Sequence, residues 1–373
     1  MKKETLLILS TGFALFSMFF GSGNLVFPLA IGMESGGHYG MASLGVLCTC
    51  VIFPFLGMLG MALYNGEIKE FFSYFGKKGI FIFSFIALGL MGPFGVLARC
   101  LTVIHGACLP LFPSMSLPVT SLVLCVLIYL LTANKNKIVS ILGVFLTPFL
   151  LLAVASITGV SLYQAPVSAP MQSEGFVAFT NGFFKGYQTM DLVAAFFFSG
   201  FVIKHLLQTR SERGEGGSPL KFFIKASVVG AVLLYVVYFA LVLLGWFYAP
   251  LLEGARPQEM FGKVAIASLG FFAAPCICVA VVLACLTTAI ALTSLFAEFL
   301  RTEVFREKIG NTTAIVSTLI VAFLVSTLEF SGIAQFLGPI LETMYPALIV
   351  LTVVNIGRKV WGMLSSRKLR EVE

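Results

Sequence analysis

Long apolar runs separated by short polar stretches extend over nearly the whole chain. Runs of about 20 apolar residues are long enough to cross the ~30 Å hydrocarbon core of a bilayer as α-helices. The pattern predicts ten membrane spans, with approximate limits 5–31, 40–64, 79–107, 115–132, 138–162, 180–203, 221–248, 271–298, 311–328 and 333–355. A shorter and more polar segment, 257–268, is expected to form a helix on the outer surface instead of an eleventh span.

Two of the predicted spans contain residues that disfavour a continuous helix. The first span is interrupted within residues 19–28, FFGSGNLVFP, and the sixth within residues 186–191, GYQTMD. The interruptions lie about 165 residues apart, nearly half of the chain. Ten spans divide into two sets of five, and an odd number inverts the second set relative to the first. Because interrupted helices at corresponding places of two halves mark the binding sites of secondary transporters, we expect a transport site here.

The expected architecture is an all-α integral membrane protein with about ten transmembrane helices in a five-plus-five inverted repeat. A single multi-pass domain would cover residues 1–373. Repeat one would occupy about residues 1–162 and repeat two about residues 175–357, followed by a cytoplasmic tail at 358–373. The repeat is inferred from the layout of the spans, because the two halves show no clear residue identity.

Composition and charge support a membrane location. The chain is 58% hydrophobic and only 11% charged, unlike a soluble globular domain. The net charge of +7 does not indicate a nucleic-acid partner, because twenty of the 24 Lys and Arg residues fall on one side of the predicted bilayer. The positive-inside rule then places both termini in the cytoplasm, and the expected location is the cell (inner) membrane.

The first interruption is predicted to line a cavity. Gly21 and Gly23 each weaken a helix by about 1 kcal/mol relative to Ala, and Asn24 favours caps and turns. The carbonyls of the first half-helix would bind a cation, and the free amides of the second would bind a carboxylate, with Asn24 as the cap. The alternative is that these small residues allow a neighbouring helix to pack closely.

Asp191, the only aspartate of the chain, lies in the sixth span. Burying an ionisable residue in a membrane is costly, so it is predicted to be functional. It would hold a coupling ion, tie the unwound stretch together or cap the second half-helix, and these roles are compatible. The carbonyls of Tyr187, Gln188 and Thr189 are expected to receive the ammonium group of a ligand.

Other polar residues within the spans have more than one interpretation. Thr287 and Thr288 in the eighth span either donate to a carbonyl one turn earlier or offer hard oxygen ligands to a small cation. Glu342 in the tenth span is a second candidate for a buried carboxylate and would pair with Arg99 or Lys185. Arg99 lies towards the outer end of the third span, where it would gate or snorkel.

Motifs of several other protein classes are missing from the sequence. It contains no GxxxxGK[ST] phosphate-binding loop and no HExxH or GxSxG motif, so we expect neither direct use of ATP nor enzymatic activity. The eight cysteines lie in or near apolar runs and are interpreted as small core residues. Cys276 and Cys278, two positions apart, should face different sides of a helix. No cofactor is expected.

The interrupted segments resemble a known family, the branched-chain amino acid:cation symporters. Residues 13–28, FALFSMFFGSGNLVFP, are similar to the opening span of that family, and residues 181–191, NGFFKGYQTMD, resemble its sixth span. Residues 284–299, ACLTTAIALTSLFAEF, resemble its eighth span, and Tyr345 with Pro346 its tenth. Members are usually described with twelve spans, of which this sequence is expected to cover ten.

The resemblance implies a fold similar to that of the sodium-coupled LeuT-like transporters, and it implies two sets of site residues. The implied cation ligands are the carbonyls of Ser17, Phe20 and Ala284 and the hydroxyls of Thr287 and Thr288. The implied substrate site consists of Phe19, Gly21, Ser22, Gly23, Asn24, Tyr187, Gln188, Thr189, Met190, Asp191 and Phe197. The substrate carboxylate would lie near the Gly23 amide, and its apolar side chain would meet Phe19, Met190 and Phe197.

The expected function is that of a secondary active symporter, which imports leucine, isoleucine or valine with a sodium or proton gradient. Its partners would be the amino acid, the coupling cation and the lipid bilayer, without nucleic acid. The alternatives are a transporter of another apolar amino acid such as methionine, an uncoupled channel, and a membrane enzyme or non-transporting subunit. The sequence does not rank the apolar substrates, because a methyl group or two is worth only about 1–3 kcal/mol in an apolar pocket.

Overall fold

The computed structural model describes residues 2–133, 138–166, 174–212 and 219–370, and these ranges are helical and contain no β-strand. In the first half the α-helices are α1 (Lys2–Phe19), α2 (Ser22–Glu34), α3 (Tyr39–Val46), α4 (Phe53–Leu63), α5 (Ile68–Phe71), α6 (Gly76–Met91), α7 (Val96–Cys108), α8 (Leu117–Ala133) and α9 (Ile138–Tyr163). In the second half they are α10 (Gly175–Gly186), α11 (Asp191–Glu212), α12 (Pro219–Phe247), α13 (Ala249–Leu252), α14 (Met260–Leu269), α15 (Ala274–Phe299), α16 (Asn311–Ser326) and α17 (Glu329–Arg370).

Helices occupy each of the ten segments that were predicted to cross the membrane. Within the described ranges, length and apolar composition identify five helical segments able to cross, or six if α1 and α2 form one bent span. Two shorter apolar helices, α8 and α16, and the Leu151–Tyr163 part of α9 add to these. The all-α membrane fold is confirmed, whereas the count of ten spans and the inverted repeat stay predictions.

The first predicted interruption is a sharp break between α1 and α2, which meet at an angle of 74°. Gly21 has an extended backbone at this point, with φ −125° and ψ −159°. Its amide donates to the side-chain Oδ1 of Asn24 at 3.0 Å, instead of to the Ser17 carbonyl one turn earlier as in a continuous helix. Phe20 and Ser22, on either side of Gly21, are buried, so the facing ends of the two half-helices lie inside the protein.

The sixth span is also interrupted where the sequence predicted. Helix α10 ends at Gly186 and is followed by one 3-10 turn, Tyr187–Thr189. Met190 then adopts a left-handed conformation with φ +64°, which costs a residue other than glycine about 1–2 kcal/mol. Helix α11 begins at Asp191. The left-handed residue ends the regular hydrogen-bond pattern, so backbone groups around it are available to partners outside the helix.

Two further departures from regular helix were not predicted. The second span changes to a π-helix over Leu47–Ile52, between α3 and α4. The third span is broken between α6 and α7, where residues 92–95, GPFG, place two glycines and a proline together. Because π-helical segments are frequent at functional sites, the first of these departures extends the search for site residues to the second span.

Glycines bring two pairs of helices into backbone contact. An added Cβ at Gly32 of α2 would lie 2.0 Å from a backbone oxygen of α12, and one at Gly245 of α12 would lie 2.1 Å from a backbone oxygen of α2. Gly45 of α3 and Gly182 of α10 form a second crossing, with corresponding distances of 2.4 and 2.3 Å. Small residues allow such close approach between membrane helices. The crossings therefore hold the half-helices α2 and α10 against their neighbours.

The structure adds detail to two predicted segments. The segment expected on the surface forms α14, but its Phe261 and Val264 are buried, and the hydroxyls of Ser268 and Ser161 lie 2.5 Å apart. This helix therefore packs into the protein. The predicted tail, 358–373, continues α17 without a break as far as Arg370, and residues 371–373 lie outside the described ranges.

Candidate transport site

The two broken spans are joined by a buried contact between their side chains. Asn24 of α2 donates through Nδ2 to both carboxylate oxygens of Asp191 of α11, at 2.9 and 3.2 Å. Asn24 is 2% exposed and Asp191 1%. The backbones are close as well, since an added Cβ at Gly23 would lie 3.5 Å from the Cα of Thr189. The two interruptions therefore form one site.

Tyr238 of α12 completes this buried cluster. Its hydroxyl donates to Oδ2 of Asp191 at 2.8 Å, and Nδ2 of Asn24 also contacts the hydroxyl. Tyr238 is fully buried. Hydrogen bonds of this kind offset the cost of burying a carboxylate. Tyr238 could not be predicted from the sequence, because a tyrosine within an apolar span has no distinguishing pattern and its role depends on a contact between distant segments.

The structure separates the roles proposed for Asn24 and Asp191. Asn24 does cap α2, but from inside the helix: its Oδ1 accepts the amide of Gly21, which is itself the N-cap residue. Asp191 ties the unwound stretch to two other helices. In the described structure it does not cap α11, because the Ala194 amide donates to the Met190 carbonyl at 3.0 Å.

The predicted cation ligands of the eighth span lie beside the first break. An added Cβ at Gly21 would be 3.3 Å from Oγ1 of Thr288. Both Thr287 and Thr288 donate to the Ala284 carbonyl, at 2.9 and 3.2 Å, which is the back-bonding alternative. Donation leaves lone pairs on both hydroxyl oxygens. The Ser17 carbonyl does not receive the Gly21 amide, which donates to Asn24 instead, so its oxygen lies at this break without that helical donor.

Gly21 and Gly23 leave more room than the glycines that bring helix backbones together most closely. An added Cβ at Gly21 would first meet the side chain of Thr288, at 3.3 Å, and one at Gly23 would lie 3.4 Å from Phe27 of its own helix and 3.5 Å from the backbone of Thr189. The closest backbone approaches between helices lie elsewhere, at glycines such as those of the two crossings described above. This difference favours the interpretation of the first interruption as a site over the packing alternative.

The residues predicted to meet an apolar substrate side chain are not all in one place. Phe19 lines a narrow apolar crevice between α1, the second span and α12, whose free volume of about 10 Å³ is roughly the room of one water molecule. Met190 is buried at the sixth-span break itself, with 1% exposure. Phe197 does not line the crevice, and its ring stacks on Phe83 of α6 with centroids 6.4 Å apart.

Two of the three carbonyls predicted to receive an ammonium group already accept hydrogen bonds. The Tyr187 carbonyl accepts an amide of its own turn at 3.0 Å, and that of Gln188 accepts Arg99 at 2.7 Å. Among the described contacts the Thr189 carbonyl has no such donor. The Thr189 hydroxyl donates to the Gly186 carbonyl at 2.9 Å, which stabilises the turn.

The π-helical segment of the second span packs against the sixth-span break. The Cys50 thiol donates to the Gly186 carbonyl at 3.4 Å and accepts the Thr189 hydroxyl at 3.6 Å. An added Cβ at Gly186 would lie 2.0 Å from Oγ1 of Thr49. The second span is thus a wall of the site, which the sequence analysis did not identify. Single Thr and Cys residues in an apolar run carry no signal of this contact.

Arg99 of α7 is fully buried beside the same break, so the prediction that it snorkels is wrong. Its Nη1 and Nη2 atoms donate to the backbone oxygen and to Oε1 of Gln188, at 2.7 Å each. The guanidinium carbon lies 5.0 and 5.4 Å from the ring centroids of Phe27 and Phe330. Ser22 meets the same helix through its hydroxyl, which accepts the thiol of Cys100 at 3.5 Å.

The prediction of a second buried carboxylate at Glu342 is also wrong. Its side chain is exposed, and it forms no ion pair within the described ranges. Lys185, one of its proposed partners, pairs instead with Glu34 of α2. Tyr345, three positions further along α17, is buried. The apolar run that surrounds Glu342 did not indicate which face of α17 turns inward.

The sequence matches the model of a family described as branched-chain amino acid transport protein, over residues 2–369. The branched-chain amino acid permease BrnQ of Bacillus subtilis is 31% identical over 369 residues, which cover 92% of this chain and 79% of the relative. BrnQ of Salmonella typhimurium is 28% identical, over 95% of this chain and 81% of the relative. The branched-chain amino acid transport system 3 carrier protein of Pseudomonas aeruginosa is 29% identical, covering 95% and 81%.

Solved transporter structures share the fold. Mhp1, a nucleobase-cation-symport-1 family transporter in a closed conformation with bromovinylhydantoin bound, matches with a TM-score of 0.57 at 14% identity, over 92% of this chain and 77% of its own. A Na+-coupled sialic acid symporter matches with a TM-score of 0.52 at 12% identity, over 94% and 78%. These likenesses confirm the expected LeuT-like fold class. Since the family model covers nearly the whole sequence, the chain belongs to the branched-chain amino acid transport protein family.

Proposed function

We propose that this protein is a secondary active symporter that imports the branched-chain amino acids leucine, isoleucine and valine, driven by a sodium or proton gradient. The contact between Asn24 and Asp191 carries the proposal, because it joins two broken helices at one buried site. Broken helices supply the substrate and ion contacts of many secondary transporters. The substrate class is supported by the relatives, each of which is named for branched-chain amino acids.

The proposed cation site consists of backbone and hydroxyl oxygens from the first and eighth spans. Its ligands are the carbonyls of Ser17, Phe20 and Ala284 and the hydroxyls of Thr287 and Thr288. The short distance between Gly21 and Thr288 supports this assignment. Such hard oxygen ligands suit a small cation. The coupling cation is the only ion or cofactor that the proposed mechanism needs.

The proposed substrate site lies where the two breaks meet. The amides at the start of α2, near Gly23, would attract the carboxylate of the amino acid, because a helix N-terminus carries partial positive charge. The Thr189 carbonyl would accept the ammonium group. The apolar side chain would enter beside Phe19, where the crevice must widen to admit it. No described contact occupies these three places, and each has the chemistry that its ligand group needs.

Alternating access would then move one group of helices against another. The cluster of Asn24, Asp191 and Tyr238 links α2, α11 and α12, which would move as one body. Helices α7 and α15 approach closely enough for the sulfur atoms of Cys108 and Cys278 to lie 3.3 Å apart, and they would belong to the other body. The charge asymmetry of the sequence supports an inner-membrane protein with cytoplasmic termini.

Substrate choice is tested by binding of labelled leucine to the purified protein, with unlabelled amino acids as competitors. We expect the inhibition constants of isoleucine and valine to lie within about 200-fold of that of leucine, since a methyl group changes the binding free energy by only about 1–3 kcal/mol. Lysine should not compete. Competition by methionine but not by isoleucine and valine would move the assignment to another apolar amino acid. Flux in liposomes without saturation or competition would indicate a channel.

A further inference from the structure

We propose that Arg99 is the cationic partner of the substrate's carboxylate, which replaces the two oxygens of Gln188 on the guanidinium when the amino acid enters. The inference rests on the proposed amino acid transport. It adds to that function a side chain that recognises one chemical group of the substrate. The Gly23 amide and Arg99 would then share the carboxylate.

The contact between Arg99 and Gln188 has the geometry of a bidentate arginine–carboxylate ion pair, but neither acceptor oxygen is charged. Nη1 lies 2.7 Å from the backbone oxygen of Gln188 and Nη2 lies 2.7 Å from Oε1. Two oxygens held against the two terminal nitrogens are what a carboxylate offers to a guanidinium. Here one oxygen belongs to a peptide and the other to a neutral amide. The guanidinium is therefore held by two oxygen acceptors, neither of which carries a negative charge to neutralise it.

Arg99 has no carboxylate partner among the residues that the structure describes. Its side chain is fully buried, it forms no ion pair with any residue in the described ranges, and its Nε atom is buried without a hydrogen-bond partner. The rings of Phe27 and Phe330 offer the guanidinium only cation–π attraction. A buried charge without a counter-charge is strongly unfavourable. An anionic ligand at this point would supply what the protein does not.

Arg99 also lies beside the proposed carboxylate site at the start of α2. The Phe27 ring contacts both places: it lies 5.0 Å from the guanidinium carbon and 3.4 Å from an added Cβ at Gly23. The thiol of Cys100, the residue after Arg99, donates to the Ser22 hydroxyl. Helix α7 thus packs on the end of α2 whose amides favour an anion. An amino acid bound there would have its carboxylate beside the guanidinium.

The test compares leucine with leucinol, which keeps the ammonium group and the apolar side chain but has an alcohol in place of the carboxylate. Both compete with labelled leucine for binding to the purified protein. In the unsubstituted protein we expect leucine to bind at least about 30-fold more tightly than leucinol, as for other buried charge pairs. Arg99→Gln should weaken the binding of leucine by a similar factor and leave the binding of leucinol nearly unchanged. Arg99→Lys should restore part of the preference, because it keeps the charge without the fork.

Gln188→Met gives a second and opposite test, which does not depend on the folding of an Arg99 variant. It removes one competitor for the guanidinium, so the preference for leucine over leucinol should rise. Arg256→Gln, an exposed arginine, is the matched control and should change neither affinity. If the ratio of leucine affinity to leucinol affinity is unchanged in both Arg99→Lys and Gln188→Met, the proposal is overturned. Arg99 would then have a purely structural or gating role. Failure of the unsubstituted protein to bind leucine would instead overturn the proposed function.

Discussion

Asn24 and Asp191 lie 167 positions apart in the sequence, yet the side-chain amide of the first donates to both carboxylate oxygens of the second. Each residue belongs to a helix that is broken within an apolar span. The contact is buried, and Tyr238 supplies another donor to the same carboxylate. The cluster therefore holds together the two half-helices that form the proposed substrate site, and its loss should affect both stability and transport.

Replacement of Tyr238 by Phe should destabilise the protein. It removes one hydrogen bond from a buried carboxylate, and the expected loss in the free energy of unfolding is about 1.5–3 kcal/mol. Thermal unfolding in detergent would measure it. The matched control is Tyr235→Phe on the same helix, where the ring packs against Phe239. Equal melting temperatures for the two variants would show that the hydroxyl of Tyr238 does not stabilise the cluster.

Gly186→Ala should disturb the sixth-span break. The new Cβ would lie 2.0 Å from Oγ1 of Thr49, so the second span must shift, and overpacking of this kind costs about 1–3 kcal/mol. Gly262→Ala is the control, because an added Cβ there meets nothing within 4 Å. Adding Thr49→Ala should recover part of the lost thermal stability. No recovery in the double variant would mean that the predicted clash is not the cause.

Thr288→Val should weaken the dependence of transport on the coupling cation, because it removes a proposed hydroxyl ligand at nearly constant volume. Thr318→Val is the matched control: Thr318 is buried and donates to a carbonyl four residues earlier, as Thr288 does, but on α16. The measurement is leucine uptake as a function of cation concentration. The same cation dependence in both variants would place the ion site elsewhere.

Cys108 and Cys278 should form a disulfide under mild oxidation, because their sulfur atoms lie 3.3 Å apart at the ends of α7 and α15. Peptide mass mapping after treatment with a copper–phenanthroline oxidant would detect the bond. Cys278→Ser keeps the exposed Cys276 and should abolish the cross-link. If both thiols react but no disulfide forms between Cys108 and Cys278, the packing of α7 on α15 is contradicted.

The breaks could be predicted from sequence because they violate a strong local pattern. Glycine, asparagine and aspartate within apolar runs are costly in a membrane helix, so Gly21, Asn24 and Asp191 stood out. Helical periodicity also predicted that Cys276 and Cys278 face different sides, which is confirmed, but the exposure of Cys276 contradicts its interpretation as a core residue.

The rest of the site could not be predicted, because it depends on which helices become neighbours. Tyr238 and Cys50 are ordinary residues for an apolar span, and only tertiary contacts give them a role. Glu342 and Arg99 show the opposite error. Glu342 was expected to be buried and is exposed, whereas Arg99 was expected near the surface and is buried. The sequence did not indicate which face of either helix turns inward.

The central claim, coupled import of branched-chain amino acids, is tested most directly by uptake of labelled isoleucine into proteoliposomes. An inward sodium gradient, a proton gradient alone and no gradient would be compared. We expect accumulation above the external concentration under one of the two gradients, with competition by leucine and valine. Equilibration without accumulation under both gradients, or no competition by these amino acids, would contradict it.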